Sequence, residues 1–242
     1  MLHWLDLAIV CATAGVASFL GSVAGTGGTF VLLPVLVLYF GIQDATVLVT
    51  VANLSANLSR TIVNRRDLHL DVVGWFALGA VPLAVLGTWL FTIAPPDFLV
   101  RLLGAFVLGV VVWRRLKPHP PARRAAAWFL PVGAGFGFLS GLVSGIGPLM
   151  APFYLAYGLT RNAYIGTDAF ATVFMQTTKL ATLGAARFVT GPVMAIGLVL
   201  IPCMVLGTLL GKRLLDRLSE RVFALVIEAV MVISGVHFLV RG

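Results

Sequence analysis

The sequence predicts an all-α, polytopic helical membrane protein. It would be built as two inverted-topology repeats of about five segments each, with short broken or re-entrant helices in both. Three observations lead there. Hydrophobic residues make up 60% of the 242 residues and charged residues only 11%, with a mean hydropathy of +1.02; a soluble domain carries about a quarter charged. Pro82-Leu83-Ala84-Val85-Leu86-Gly87-Thr88-Trp89-Leu90 returns 120 residues later as Pro202-Cys203-Met204-Val205-Leu206-Gly207-Thr208-Leu209-Leu210, identical at six of nine positions. The same offset carries Gly21, Val23, Gly25 and Gly27 onto Gly141, Val143, Gly145 and Gly147. Such a repeat, with glycine-interrupted apolar segments at matching places, points to a transporter. Finally, 11 of the 17 Lys and Arg fall in three short loops, around 65–66, 114–124 and 212–221. That clustering is the positive-inside bias of a helical membrane protein, and it argues against nucleic acid as the reason for a net charge of +8.

The elements follow in order. The run 5–24 lacks a charged leader and is too long for a signal peptide, so it is expected to be a retained first helix. Further runs at 70–91, 98–113, 125–145, 192–211 and 222–240 approach or reach the ~20 residues that cross a bilayer as a helix. Between them lie two shorter segments of ten to twelve residues, 29–40 with Pro34 and 149–158 with Pro152. These are too short to cross alone and are expected as half-helices or re-entrant pieces. Each is followed by a longer helix with a polar stripe, near 44–63 and 163–184. The prolines and charges of 114–124 forbid a span and mark a basic cytoplasmic linker between a first repeat, 1–113, and a second, 125–242. With all three basic loops cytoplasmic, one half begins outside and the other inside. Both termini then face away from the cytoplasm in a prokaryotic plasma (inner) membrane.

Chemistry can sit at the breaks. Gly25-Thr26-Gly27-Gly28-Thr29 and Gly145-Ile146-Gly147-Pro148 open the two short segments. Glycine lets the chain leave helical geometry, and the free N–H groups and positive dipole end of a half-helix suit an anion. In lipid, broken backbone is tolerated only where it is buried in protein or lines a cavity. The alternative is close packing through the small-residue spacings Gly21-x-x-x-Gly25 and Gly141-x-x-x-Gly145.

The helices after the breaks carry polar faces. Asn53, Asn57 and Arg60 recur at i, i+4, i+7, and Asp168, Thr172, Gln176 and Lys179 at i, i+4, i+8, i+11. An offset of 119 places Asn57 on Gln176 and Arg60 on Lys179. Amide donors with balancing cations suit an oxyanion, and polar residues inside a membrane default to function. The competing reading is interhelical hydrogen bonding by the amides, with Arg60 and Lys179 snorkelling to the surfaces. Asp168 is a candidate for the coupling proton, the alternative being an exposed first-turn acid. Substrate contact is therefore assigned to Gly25, Thr26, Gly27, Gly28, Thr29, Asn53, Asn57, Arg60, Gly145, Gly147, Thr172, Gln176 and Lys179. Cys11 and Cys203 lie in apolar runs and read as small hydrophobes. Ser140-Gly141 and Ser144-Gly145 match an intramembrane serine protease only loosely, and no metal-ligand or phosphate-loop spacing exists. No catalytic residue, cofactor or metal is expected.

At these residues the chain resembles the sulfite exporter TauE/SafE family of membrane permeases. The resemblance covers nearly the whole chain. It rests on Gly-Thr-Gly-Gly-Thr at 25–29 with Pro34 after it, on Gly145-x-Gly147 with Pro152, and on Pro-x-x-x-x-Gly-Thr at 82–88 and 202–208. Pro148 stands where a third glycine would match Gly28, and the second copy is two residues shorter before its proline. The resemblance implies two inverted halves and secondary transport of sulfite, sulfoacetate or a related small organosulfur anion, with the proton gradient as a candidate driving force. An anion channel, a transporter of another solute, an intramembrane enzyme and an assembly subunit are the alternatives. The expected partners are a small anion and the lipid bilayer.

Overall fold

The computed structural model describes residues 4–24, 29–116, 125–144, 147–214, 232–233 and 236–240. Gly25, Thr26, Gly27, Gly28 and Gly145 lie outside the described residues, as do residues 117–124 of the linker and most of the last span. Every regular element among the described residues is helical. They are α1 (Trp4–Ala24), α2 (Thr29–Val63), α3 (Leu70–Ile93), α4 (Pro96–Arg115), one 3₁₀ turn (Ala126–Trp128) leading into α5 (Phe129–Leu142), α6 (Gly147–Tyr157), α7 (Arg161–Ala185) and α8 (Gly191–Leu214). Val31–Val63, Leu70–Ile93 and Gly191–Leu210 are long and apolar enough to cross a membrane, and Ala8–Phe19 and Ala126–Leu142 are shorter apolar helices. Large apolar side chains such as Leu78, Trp89, Leu198 and Leu206 point outward, as they do on a surface bathed in hydrocarbon rather than water. The protein is an all-helical, multi-pass membrane protein.

The two short segments end in the same way. Within α2 the backbone leaves helical geometry at Gly41, with φ 75° and ψ 169°, so 29–40 and 42–63 are separate pieces. α6 ends at Gly158, with φ 102°. A Cβ at either glycine would meet nothing within 4 Å, so it is the positive φ, not space, that calls for glycine there. α7 then starts on Thr160, whose side-chain oxygen accepts from the Ala163 N–H at 3.5 Å as an N-cap.

Packing rests on a few close helix pairs. α3 lies along α5 and α1 along α8; α2 lies along α7, with α3 against α7 and α8 against α2. The α3–α5 contact is built on glycine. Gly133, Gly137 and Gly141 recur every four residues on α5, and a Cβ on Gly133 or Gly137 would overlap the Phe76 or Ala80 carbonyl of α3. From the other side, Gly79 and Gly87 sit against the Leu130 and Phe138 carbonyls. In lipid, where burial of apolar surface drives helices together only weakly, this close backbone approach is what holds a pair. The α1–α8 pair uses the same device once, with Gly207 against the Gly15 carbonyl. It adds polar contacts: Ser18 Oγ donates to the Met204 carbonyl at 2.6 Å and lies 2.7 Å from Thr208 Oγ1. Cys11 and Cys203 meet across this interface as free thiols. The repeated Gly87 and Gly207 thus serve close packing. The effective small-residue run on α5 begins at Gly133, earlier than the Gly141–Gly145 pair singled out from sequence.

Candidate functional site

The polar faces meet where α2 crosses α7. Gly166 has no room for a Cβ, which would lie 2.9 Å from Asn64 Cβ, and the His69 N–H donates to Thr167 Oγ1 at 3.1 Å. The end of α2 therefore lies beside the start of α7, and the two helices run antiparallel. Along this seam Asn57, Asp168, Gln176 and Lys179 are buried at 7%, 4%, 9% and 1% exposure, while Asn53, Arg60 and Thr172 are half-buried.

Most hydroxyls of the seam are satisfied by their own helix. Thr46, Thr50 and Thr61 donate to the carbonyls of Ile42, Thr50's neighbour one turn back (Thr46) and Asn57, at 2.7, 2.6 and 2.8 Å. Such back-bonding consumes the hydroxyl proton on the helix's own carbonyls. Asn53 is tied to the beginning of the same element: Thr29 Oγ1 donates to Asn53 Oδ1 at 3.1 Å. That bond brings the first residue after the Gly25–Gly28 break onto the polar face.

Lys179 holds the other break. Its Nζ donates to the Ser140 carbonyl at 2.6 Å and to Ser144 Oγ at 3.2 Å, and it sits 5.9 Å from the centre of the Phe91 ring. Ser140 lies in the last turn of α5, so the ammonium neutralises carbonyls that the helix end leaves unpaired. At 1% exposure this lysine does not snorkel; its charge stays inside and pins the end of α5 to α7.

The opposite end of the seam holds Arg60, Asp168, Tyr164 and Tyr154. Arg60 interacts electrostatically with Asp168 and Tyr164, and Asp168 with both tyrosines. Asp168 is buried in the second turn of α7 and is not an exposed first-turn acid, because α2 covers that side of the helix. Tyr154 is on α6 and Tyr164 on α7; sequence reasoning passed over both. Tyr164 shares the i, i+4 ladder of Asp168, Thr172 and Gln176, which is the signal that could have found it.

Of the residues expected to touch substrate, the structure thus groups Thr29 with Asn53 and sets Arg60 beside Asp168. It binds Lys179 to Ser140 and Ser144. Gly147 is the first residue of α6, directly after the undescribed Gly145. No group of three or more metal-ligating side chains occurs among the described residues.

No curated protein and no solved structure gave a match to the chain. The family model described as sulfite exporter TauE/SafE matches residues 10–238, nearly the whole chain. A permease family of this kind accounts for what the geometry offers: a helical bundle with polar groups buried between its helices. The chain belongs to the sulfite exporter TauE/SafE family of membrane permeases.

Proposed function

We propose that this permease is a secondary transporter that exports a small organosulfur oxyanion, sulfite or sulfoacetate being the leading substrates, by alternating access coupled to protons. The observation that carries the reading is the seam between α2 and α7. Asn57 and Gln176 are uncharged amides buried on the two helices of the seam, which also carry Asn53, bonded to Thr29 just after the first glycine break, and Lys179, bonded to Ser144 just before the second. Amide N–H groups and half-helix N–H groups there would replace the water around an oxyanion, with Arg60 supplying compensating charge.

Two inverted repeats, 1–113 and 125–242, joined by the linker 114–124, support a rocking mechanism. The 120-residue offset turns α3 against α5 into α8 against α1, and α3 against α7 into α8 against α2, which is the pattern of packing seen. In this arrangement α2 and α7 are equivalent partners across a pseudo-two-fold axis, and the site sits between them near the midplane. The basic loops put the linker in the cytoplasm of a prokaryotic cell and both termini on the far side of the inner membrane.

Purified protein in liposomes tests the proposal. Saturable uptake of labelled sulfite or a sulfonate, accelerated by unlabelled substrate on the opposite side, is the expected result. Ohmic, non-saturating conductance without counterflow would make the protein a channel. No flux of any sulfur oxyanion would remove this substrate class.

A further inference from the structure

Tyr154 is 1% exposed and Tyr164 7%, yet neither hydroxyl has a hydrogen-bond partner among the described residues; the same is true of Oδ1 of Asp168, which is 4% exposed. Buried polar groups are overwhelmingly hydrogen-bonded, so three such oxygens within one cluster call for a reason. The rings are not free to point their hydroxyls elsewhere. Tyr154 stacks on Phe129 at 5.0 Å between ring centres, lies 6.5 Å from Phe76 and meets the Tyr164 ring at 5.8 Å. This aromatic packing preorganises the two phenols near Asp168 and the half-buried Arg60, whose Nε is enclosed.

We infer that Arg60, Tyr154, Tyr164 and Asp168 form a binding site for a small oxyanion that is taken up together with one proton. The inference rests on the anion-transport reading and assigns part of its site. Arg60 is a donor only, and each phenol O–H can donate, so three side chains suit the oxygens of an anion. Asp168 does not suit a bare dianion, because like charges at short range repel strongly away from water. A single proton shared between a ligand oxygen and the Asp168 carboxyl removes the conflict, whichever of the two carries it. An acid monoanion such as hydrogen sulfite satisfies every group at once, whereas a fully ionised anion must bring its proton from solution. The titratable and charged groups that act on Asp168 are Arg60 from α2, Tyr154 from α6 and Tyr164 on its own helix. No bond is made or broken beyond that proton's.

Calorimetric titration of the purified full chain with sulfite tests this, run above the second dissociation of sulfite in two buffers of different ionisation heat. The wild type is expected to take up about one proton per anion bound. Tyr154→Phe and Tyr164→Phe should each weaken binding about tenfold, since a site built to hydrogen-bond a ligand suffers when one partner is lost. Their melting temperatures without ligand should hold or rise, because the removed hydroxyls bond nothing among the described residues. Asp168→Asn should bind with no proton uptake. Wild-type affinity in both Phe variants, or proton-independent binding by the wild type, overturns the inference. If the reconstituted wild type still exchanges sulfite in that case, the transport reading stands and its site lies elsewhere along the seam. If the wild type neither binds nor exchanges any sulfur oxyanion, both fall together.

Discussion

The two ends of the α2–α7 seam each hold a cation, and they surround it differently. Lys179 and Asp168 are eleven residues apart on α7, about 16 Å along the helix axis. At the Lys179 end two oxygens accept from the ammonium, one of them the Ser140 carbonyl at a helix terminus, and the Phe91 ring lies close by. That cation works on the protein itself: it holds α5 to α7 and steadies the backbone just before the second glycine break. At the Arg60 end, two phenol hydroxyls and a carboxyl oxygen are buried without hydrogen-bond partners among the described residues. Lys179 is tied to the fold by its two acceptors, whereas the unpartnered oxygens near Arg60 are those we propose for a guest. The offset that pairs Arg60 with Lys179 in sequence therefore pairs two residues with different surroundings.

Breaking the Lys179 end should have the largest effect. Lys179→Ala removes a buried stem and strands the Ser140 carbonyl and Ser144 hydroxyl, and should destabilise the protein by about 3 kcal/mol. A fall in melting temperature in detergent, before any substrate is added, would show it; an unchanged melting point would mean that the contact carries no load. Next come the amides between the two ends. Asn57→Ala and Gln176→Ala are each expected to weaken substrate affinity about tenfold, roughly 1.4 kcal/mol, with folded yield retained. Normal transport kinetics in both would place the substrate away from the middle of the seam.

Ser144→Ala sharpens the contrast more gently. It removes one of the two acceptors of Lys179 and should cost about 1 kcal/mol of stability, with the Ser140 contact surviving. The smallest shift is expected in Tyr154→Phe and Tyr164→Phe, whose unliganded stability should stay within about 0.5 kcal/mol of wild type. A loss as large as that of Lys179→Ala would reveal a structural role for the hydroxyls and erase the difference between the two ends.

Much of the architecture was legible in the chain because lipid imposes simple rules. Spans must be apolar and about twenty residues long, so α1, α3, α4, α5 and α8 could be placed from hydropathy. The short segments 29–40 and 149–158 were marked by their length and prolines, and the structure ends them at Gly41 and Gly158. The site was legible only in part. Asn57, Gln176, Arg60 and Lys179 stand out because polar residues are rare in such a sequence. Tyr154 and Tyr164 do not, since a tyrosine in an apolar helix reads as one more aromatic until its hydroxyl is seen to lack a partner. Gly133 and Gly137 were passed over for the same reason: glycine is abundant here, with 26 in the chain, and only the facing helix shows which ones are needed.

By itself the sequence determined the membrane-spanning helical class, the 120-residue repeat and the polar faces after each break, because hydropathy and helical period are local properties of a chain. The tertiary structure decided what each polar group meets. Whether Lys179 reaches a surface or a carbonyl, and whether Asp168 faces water or Arg60, depends on which helix lies across from it. That is set by close backbone packing between elements far apart in sequence, where a single Cβ on Gly133 or Gly137 would hold them apart.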